Sequence, residues 1–240
     1  PATKTQAARG RYSRTVDLLR HVWVPTRVGA STSGEGMPCL VHRTSDPKWF
    51  ESLDWFKTLA EKSTFVIIGQ SHQRNMFEVY AAMVTLAFPG ADVKWPKARR
   101  HTSAEVTLEG RVAARLEWSV SMPAVEVDQA VKGITPTHFV FGRGLWDVDH
   151  IGFEPEDLRV NMQLLLMMVR RRFSAARVSV YPSHFVNKIN PAGCMSLERM
   201  ARVRDVLYTA AANVNAILRP AGEELIDVID VFEMTATPEA

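Results

Sequence analysis

The residues best suited to chemistry lie in one short block, Ile67-Ile68-Gly69-Gln70-Ser71-His72-Gln73-Arg74-Asn75. A serine here follows an apolar, β-branched run and stands at the mouth of a helix-patterned stretch. Free backbone N–H groups and the positive end of the helix dipole would then lie beside its hydroxyl, which suits a nucleophile and a developing oxyanion. Such a serine needs a base to take its proton. His72 comes directly after it and is expected to point elsewhere, as a surface or capping histidine. Asp147-Val148-Asp149-His150 is an Asp-x-x-His, read either as a relocated base or as chance in an acidic loop. His184, in Tyr181-Pro182-Ser183-His184, comes after a predicted strand and can be placed within reach of Ser71. Arg74 is either an anion-binding group near the serine or an ion-pair partner of Asp147.

Positioning these groups falls to an alternating series of elements. Thr64–Ile68 is expected to be a buried parallel strand, and Arg74–Phe88 a helix stopped by Pro89-Gly90. Val106–Leu108 and Val112–Val120 suggest a hairpin turning at Glu109-Gly110. Thr137–Phe141 is a second buried strand, with His138 expected to be a satisfied core histidine. Glu154–Phe173 predicts a helix with acids in its first turn, Arg170-Arg171-Arg172 in its last, and a stripe of Leu158, Met162, Leu165, Leu166 and Val169. The runs Ala81–Val84 and Leu164–Val169 both read as buried. Arg177–Tyr181 predicts a strand, Ser196–Leu218 a helix with Met200, Val203, Leu207, Ala211 and Val214 inward, and Leu225–Phe232 a closing strand. Trp49, Trp55, Trp95, Trp118 and Trp146 read as core or interface aromatics. The expected fold is α/β, a three-layer α/β/α arrangement around a mainly parallel sheet, with residues 1–45 an extended arm and 46–240 one domain. Ligands of such sheets sit beyond the strands' carboxyl ends. Three loops therefore matter: Gly69–Asn75, Gly142–His150 and Pro182–Asn190.

Those blocks resemble the SGNH (GDSL-like) hydrolases, in particular the PC-esterase branch, where a strand runs into Gly-Asp-Ser-x-x-Arg-Asn. Gly69, Ser71, Arg74 and Asn75 match, and Gln70 replaces the aspartate. Gly142-Arg143-Gly144-Leu145-Trp146-Asp147 is similar to that branch's Asn-x-Gly-Leu-Trp-Asp block, and Asn161, Leu164 and Leu165 resemble residues of the family's next helix. Tyr181–His184 sits where the family has a third active-site loop, and Ile229–Thr235 is similar to its last strand. The likeness spans residues 60–236 in order and implies an SGNH/flavodoxin-like fold and acyl-ester hydrolysis through Ser71. Departures accompany it. The family's oxyanion-donating asparagine falls on Gly142, and its Asp-x-x-His base pair has no counterpart, since no histidine occurs after His184. The pocket residues the resemblance implies are Gly69, Gln70, Arg74, Asn75, Gly142, Gly144 and Asp147.

Composition bounds the rest. The 240 residues are 46% hydrophobic and 23% charged, with two cysteines at no metal-ligand or disulfide spacing. That excludes a disordered chain and a disulfide scaffold. No Walker loop, dinucleotide fingerprint or metal cluster is present, so no cofactor is expected. No apolar run approaches the roughly 18 residues of a membrane-spanning helix. Net charge is +3, yet residues 1–27 carry six bases against Asp17 alone, or +5, leaving 23 bases and 25 acids elsewhere. An Arg-rich, acid-poor arm fits a partner-binding tail or import processing, hence a mitochondrial location. The reading put first is a hydrolase-like domain without hydrolase chemistry, an accessory subunit of a larger complex contacted through residues 1–45. The rivals are an active serine esterase with His184 or His150 as base, and an RNA-associated subunit binding through the arm.

Overall fold

A computed structural model describes residues 21–23, 41–43, 53–94, 102–144, 154–182 and 197–230. Near the start, β1 (His21–Trp23) pairs antiparallel with β2 (Val41–Arg43). The chain then runs α1 (Leu53–Lys62), β3 (Phe65–Gly69), α2 (Ser71–Ala87), β4 (Asp92–Lys94), β5 (Ala104–Leu108) and β6 (Arg111–Trp118). It continues through α3 (Ala124–Ala130), β7 (His138–Arg143), α4 (Pro155–Arg172), β8 (Arg177–Pro182), α5 (Leu197–Leu218) and β9 (Asp227–Val228). Seven strands form one sheet in the order β4-β5-β6-β3-β7-β8-β9. Neighbours from β6 to β9 are parallel, and β4 and β5 add an antiparallel edge.

Strand alternation divides the core into two layers. Ile67 and Val140 face one side, under Phe77, Ala81 and Val84 of α2 and Phe56 of α1. Val66, Ile68, Phe139 and Phe141 face the other, under α3, α4 and α5. Each such apolar side chain contributes roughly 1.5–3 kcal/mol on burial. The chain crosses from β6 past β3 to β7, so the loops leaving β3 and β7 diverge to opposite faces. A crevice between such loops is where doubly wound sheets hold ligands.

The apolar stripes of α4 and α5 are buried as their periodicity predicts. The hairpin turns at Glu109 and Gly110, with φ of 51° and 80°, the paired left-handed conformation of a two-residue hairpin loop. Other expectations need correction. Leu164 is 65% exposed, because the inward stripe takes Leu165, Leu166 and Val169 from its apolar run. Arg170 is buried instead of capping the helix from solvent, and its Nη1 donates to the Ala176 carbonyl at 2.6 Å. Trp55, expected in the core or at an interface, is not in the core: it is mostly exposed on α1, a helix that the residue pattern does not delimit. The last strand begins at Asp227, later than expected. Asn215 of α5 takes both backbone groups of Ile226, accepting from its N–H (2.7 Å) and donating to its carbonyl (2.9 Å), and so removes it from the ladder.

Tyr80 of α2 packs on Phe56 and Phe65, its hydroxyl buried without a hydrogen-bond partner among the described residues. Burial, opposed by the Arg111 charge, pushes the phenol from 10.0 up to about 12. The folded state therefore keeps this proton where the unfolded chain loses it. The contribution is intact below pH 10 and lost as pH rises toward 12. Tyr80→Phe removes a buried polar group that has no partner there, and is expected to leave stability unchanged or raise it by up to about 1 kcal/mol. It should also soften the alkaline decline. Thermal melts at pH 8 and 11 check both; a melting temperature well below wild type at pH 8 would mean the hydroxyl is bonded.

Candidate functional site

The first helical residue of α2 is Ser71, three positions before the expected start. Gln70 is extended at the N-cap, and the Gln73 side chain reaches back so that its Oε1 accepts the Gln70 N–H at 3.1 Å. The Gln70 carbonyl accepts the Arg74 N–H at 3.0 Å and closes the first turn. This reach of the third helical residue back to the N-cap satisfies a backbone donor that the helix start leaves open. It draws the serine into the helix and out of the preceding loop.

Register across the carboxyl edge brings the sequence blocks together. Gly69 lies opposite Trp118 on one side and Gly142 on the other, and Gly142 lies opposite Tyr181. The three loops singled out from sequence thus leave the sheet from one row. Gly69 and Gly142 are crowded: a Cβ on Gly69 would come within 2.5 Å of the Gly142 carbonyl oxygen, and one on Gly142 within 1.6 Å of Gln73 Nε2. The Gln73 carboxamide occupies the space of a residue-142 side chain. It is fully buried, and its Nε2 has no hydrogen-bond partner among the described residues.

Around the serine the described side chains offer little acid–base chemistry. Ser71 is half-buried, and its hydroxyl forms no hydrogen bond among the described residues. His72 is buried on the same helix. His138 begins β7, four residues before Gly142 and roughly 13 Å along the strand. It stacks on Phe65 at 4.6 Å, and its Nδ1 lies 2.8 Å from the Thr137 hydroxyl, as expected of a satisfied histidine. Burial first, then the Arg177 charge, hold it below its usual range against the pull of Glu224. Arg74 pairs with Glu78 one turn along α2, Nε to Oε1 3.8 Å; Asp147, its expected partner, lies outside the described residues. Asn75 is exposed, and Gly144 comes just past the end of β7 with φ 130°. His150, Asp147 and His184 lie outside the described residues.

At the far end of the same edge, Asp230 accepts hydrogen bonds from Arg204 Nε (2.7 Å) and the Tyr208 hydroxyl (2.9 Å). Burial, and then this carboxylate, push the Tyr181 phenol up. Asp230 is thus engaged in fastening the last strand to α5. Sequence reasoning missed two residues here. Gln73 was legible as the third helical residue reaching back to Gln70, once the helix start was set correctly. Arg143, between two glycines in a block that reads as loop, belongs to β7 and is only 9% exposed.

No protein-family model matches the chain, and no curated protein does. Among solved structures it is similar to the crystal structure of LAE5, an alpha/beta hydrolase enzyme from the metagenome of Lake Arreo, Spain. Identity is 17%, over 64% of this chain and 74% of that one, with a TM-score of 0.38. A likeness at this level carries no argument about what this chain does. No helix of the described residues is long and apolar enough to cross a membrane.

Proposed function

We propose that this chain is an SGNH-like α/β domain without hydrolase chemistry, acting as an accessory subunit of a larger assembly. The observation that carries this reading is that Gly142 has no side chain to donate and that the Gln73 carboxamide filling its place is fully buried, closed to a substrate oxygen. In the resembled family that position supplies an oxyanion donor, and one such donor is worth about 3 kcal/mol of transition-state stabilisation. The Ser71 hydroxyl, unengaged among the described residues, supports the same reading, because a serine without a base is a poor nucleophile. The basic, acid-poor stretch of residues 1–27 supports a contact role for the arm and a mitochondrial setting.

The test is hydrolysis of p-nitrophenyl acetate by the full chain and by Ser71→Ala. Both are expected to give the same slow background rate. A rate that depends on Ser71 would favour the esterase reading, with His184 or His150 as its base.

A further inference from the structure

α4 buries one face and leaves the opposite one open. Its inward stripe is Leu158, Met162, Leu165, Leu166 and Val169, so at about 3.6 residues per turn Asp157, Val160, Leu164, Met168 and Arg171 share the outward side. That side is apolar along its middle. Leu164 is 65% exposed and Val160 39%, and Met168 is half-buried beside them. Val125 of α3, also 65% exposed, follows Ala124, which lines one depression together with Leu164 and Met168, so the apolar surface continues across that flank. A charge stands at each end of the stripe: Asp157 in the first turn of α4 and Arg171 in the last, both exposed. Neighbouring charges are committed, Glu156 to Arg159 and Arg172 to Asp128. Asp157 and Arg171 form no ion pair among the described residues. They are 14 residues apart, about 21 Å along the helix, too far to pair with each other.

From this pattern we infer that the outward face of α4 is a contact between two copies of the chain, packed antiparallel about a two-fold axis at Leu164. The spacing selects a second copy as the occupant. Asp157 and Arg171 lie seven residues either side of Leu164, and Val160 and Met168 four residues either side. In an antiparallel pair each residue faces the one equally far from the centre on the other helix. Asp157 of each copy therefore meets Arg171 of the other, Val160 meets Met168, and Leu164 meets itself. A self-complementary patch of this kind closes after two chains, because both use the same surface. The end charges also fix the direction: a parallel pair would set Asp157 against Asp157 and Arg171 against Arg171. Burial of Leu164 and Val160 drives the association, and the charges at the rim set its register. A stripe about 21 Å long is at the small end of specific interfaces, so the dimer is expected to be weak, micromolar or weaker. The inference does not involve Ser71 and stands apart from the question of hydrolysis.

Sedimentation equilibrium of the full chain, from low micromolar to millimolar concentration, is expected to show a reversible monomer–dimer equilibrium. Leu164→Glu places two carboxylates on the axis and should weaken it roughly tenfold or more. Asp157→Arg and Arg171→Asp each set like charges opposite one another and should stay monomeric where the wild type dimerises. All three residues are exposed, so these changes leave the core intact. Mixing the two charge variants is the decisive arm. One carries only arginines at the ends of the stripe and the other only aspartates, so the mixture should form a heterodimer roughly tenfold more tightly than either variant pairs with itself. A chain that stays monomeric at millimolar concentration, as it would if another segment or a different protein covers the stripe, would overturn the inference. So would a dimer untouched by Leu164→Glu, or a mixture that associates no better than its parts.

Discussion

Gly69→Ala is expected to destabilise the protein by roughly 3 kcal/mol, a large effect for one added methyl group. The new Cβ would sit 2.5 Å from the Gly142 carbonyl oxygen and 2.7 Å from Gln73 Cγ. The first of these is backbone in the neighbouring central strand, held by the β3–β7 ladder, so no rotamer change relieves the contact. The backbone adds to the cost, since Gly69 has φ +157°, which side-chain-bearing residues rarely adopt. Urea unfolding of the two proteins measures the difference. A change below about 1 kcal/mol would mean that the strands do not approach this closely.

Gly142→Ala is the second large effect, with a different origin. Its Cβ would meet Gln73 Nε2 at 1.6 Å and Cδ at 1.8 Å, atoms near the end of a side chain. That side chain can move only by giving up its bond to the Gln70 N–H, and it is fully buried. The expected cost is about 2–3 kcal/mol. Gln73→Ala vacates the space, so the double variant should be more stable than the sum of the single changes predicts, by about 1–2 kcal/mol. Additive costs would show that Gln73 is not what fills the position. The coupling therefore tests the local arrangement on which the functional reading leans.

Much of the architecture could be read from residue pattern alone. Apolar β-branched runs ending in glycine marked β3 and β7, and the helical stripes of α4 and α5 named their buried residues almost completely. The joining of three loops at one edge came from strands alternating with helices. What escaped the reading depends on single side chains making long-range or local contacts that periodicity does not encode. Asn215 shortens β9, Ala176 recruits Arg170 into the core, and Gln73 moves the start of α2 forward to include the serine. Within the site, Gly142 was legible as the lack of a donor. That a glutamine from the facing helix fills its place was not, because the two residues are 69 positions apart and meet only through the register of β3 with β7. Arg143 escaped for a related reason: as one charge between two glycines it read as loop, whereas the strand carries it to the α4 face.

The central claim is that Ser71 does not act as a nucleophile. It is tested most directly by exposing the full chain to a fluorophosphonate, which phosphonylates activated serines, and weighing the intact protein. The account predicts unmodified mass under conditions that fully label an active serine esterase run alongside. A stoichiometric adduct that maps to Ser71, and disappears in Ser71→Ala, would contradict it.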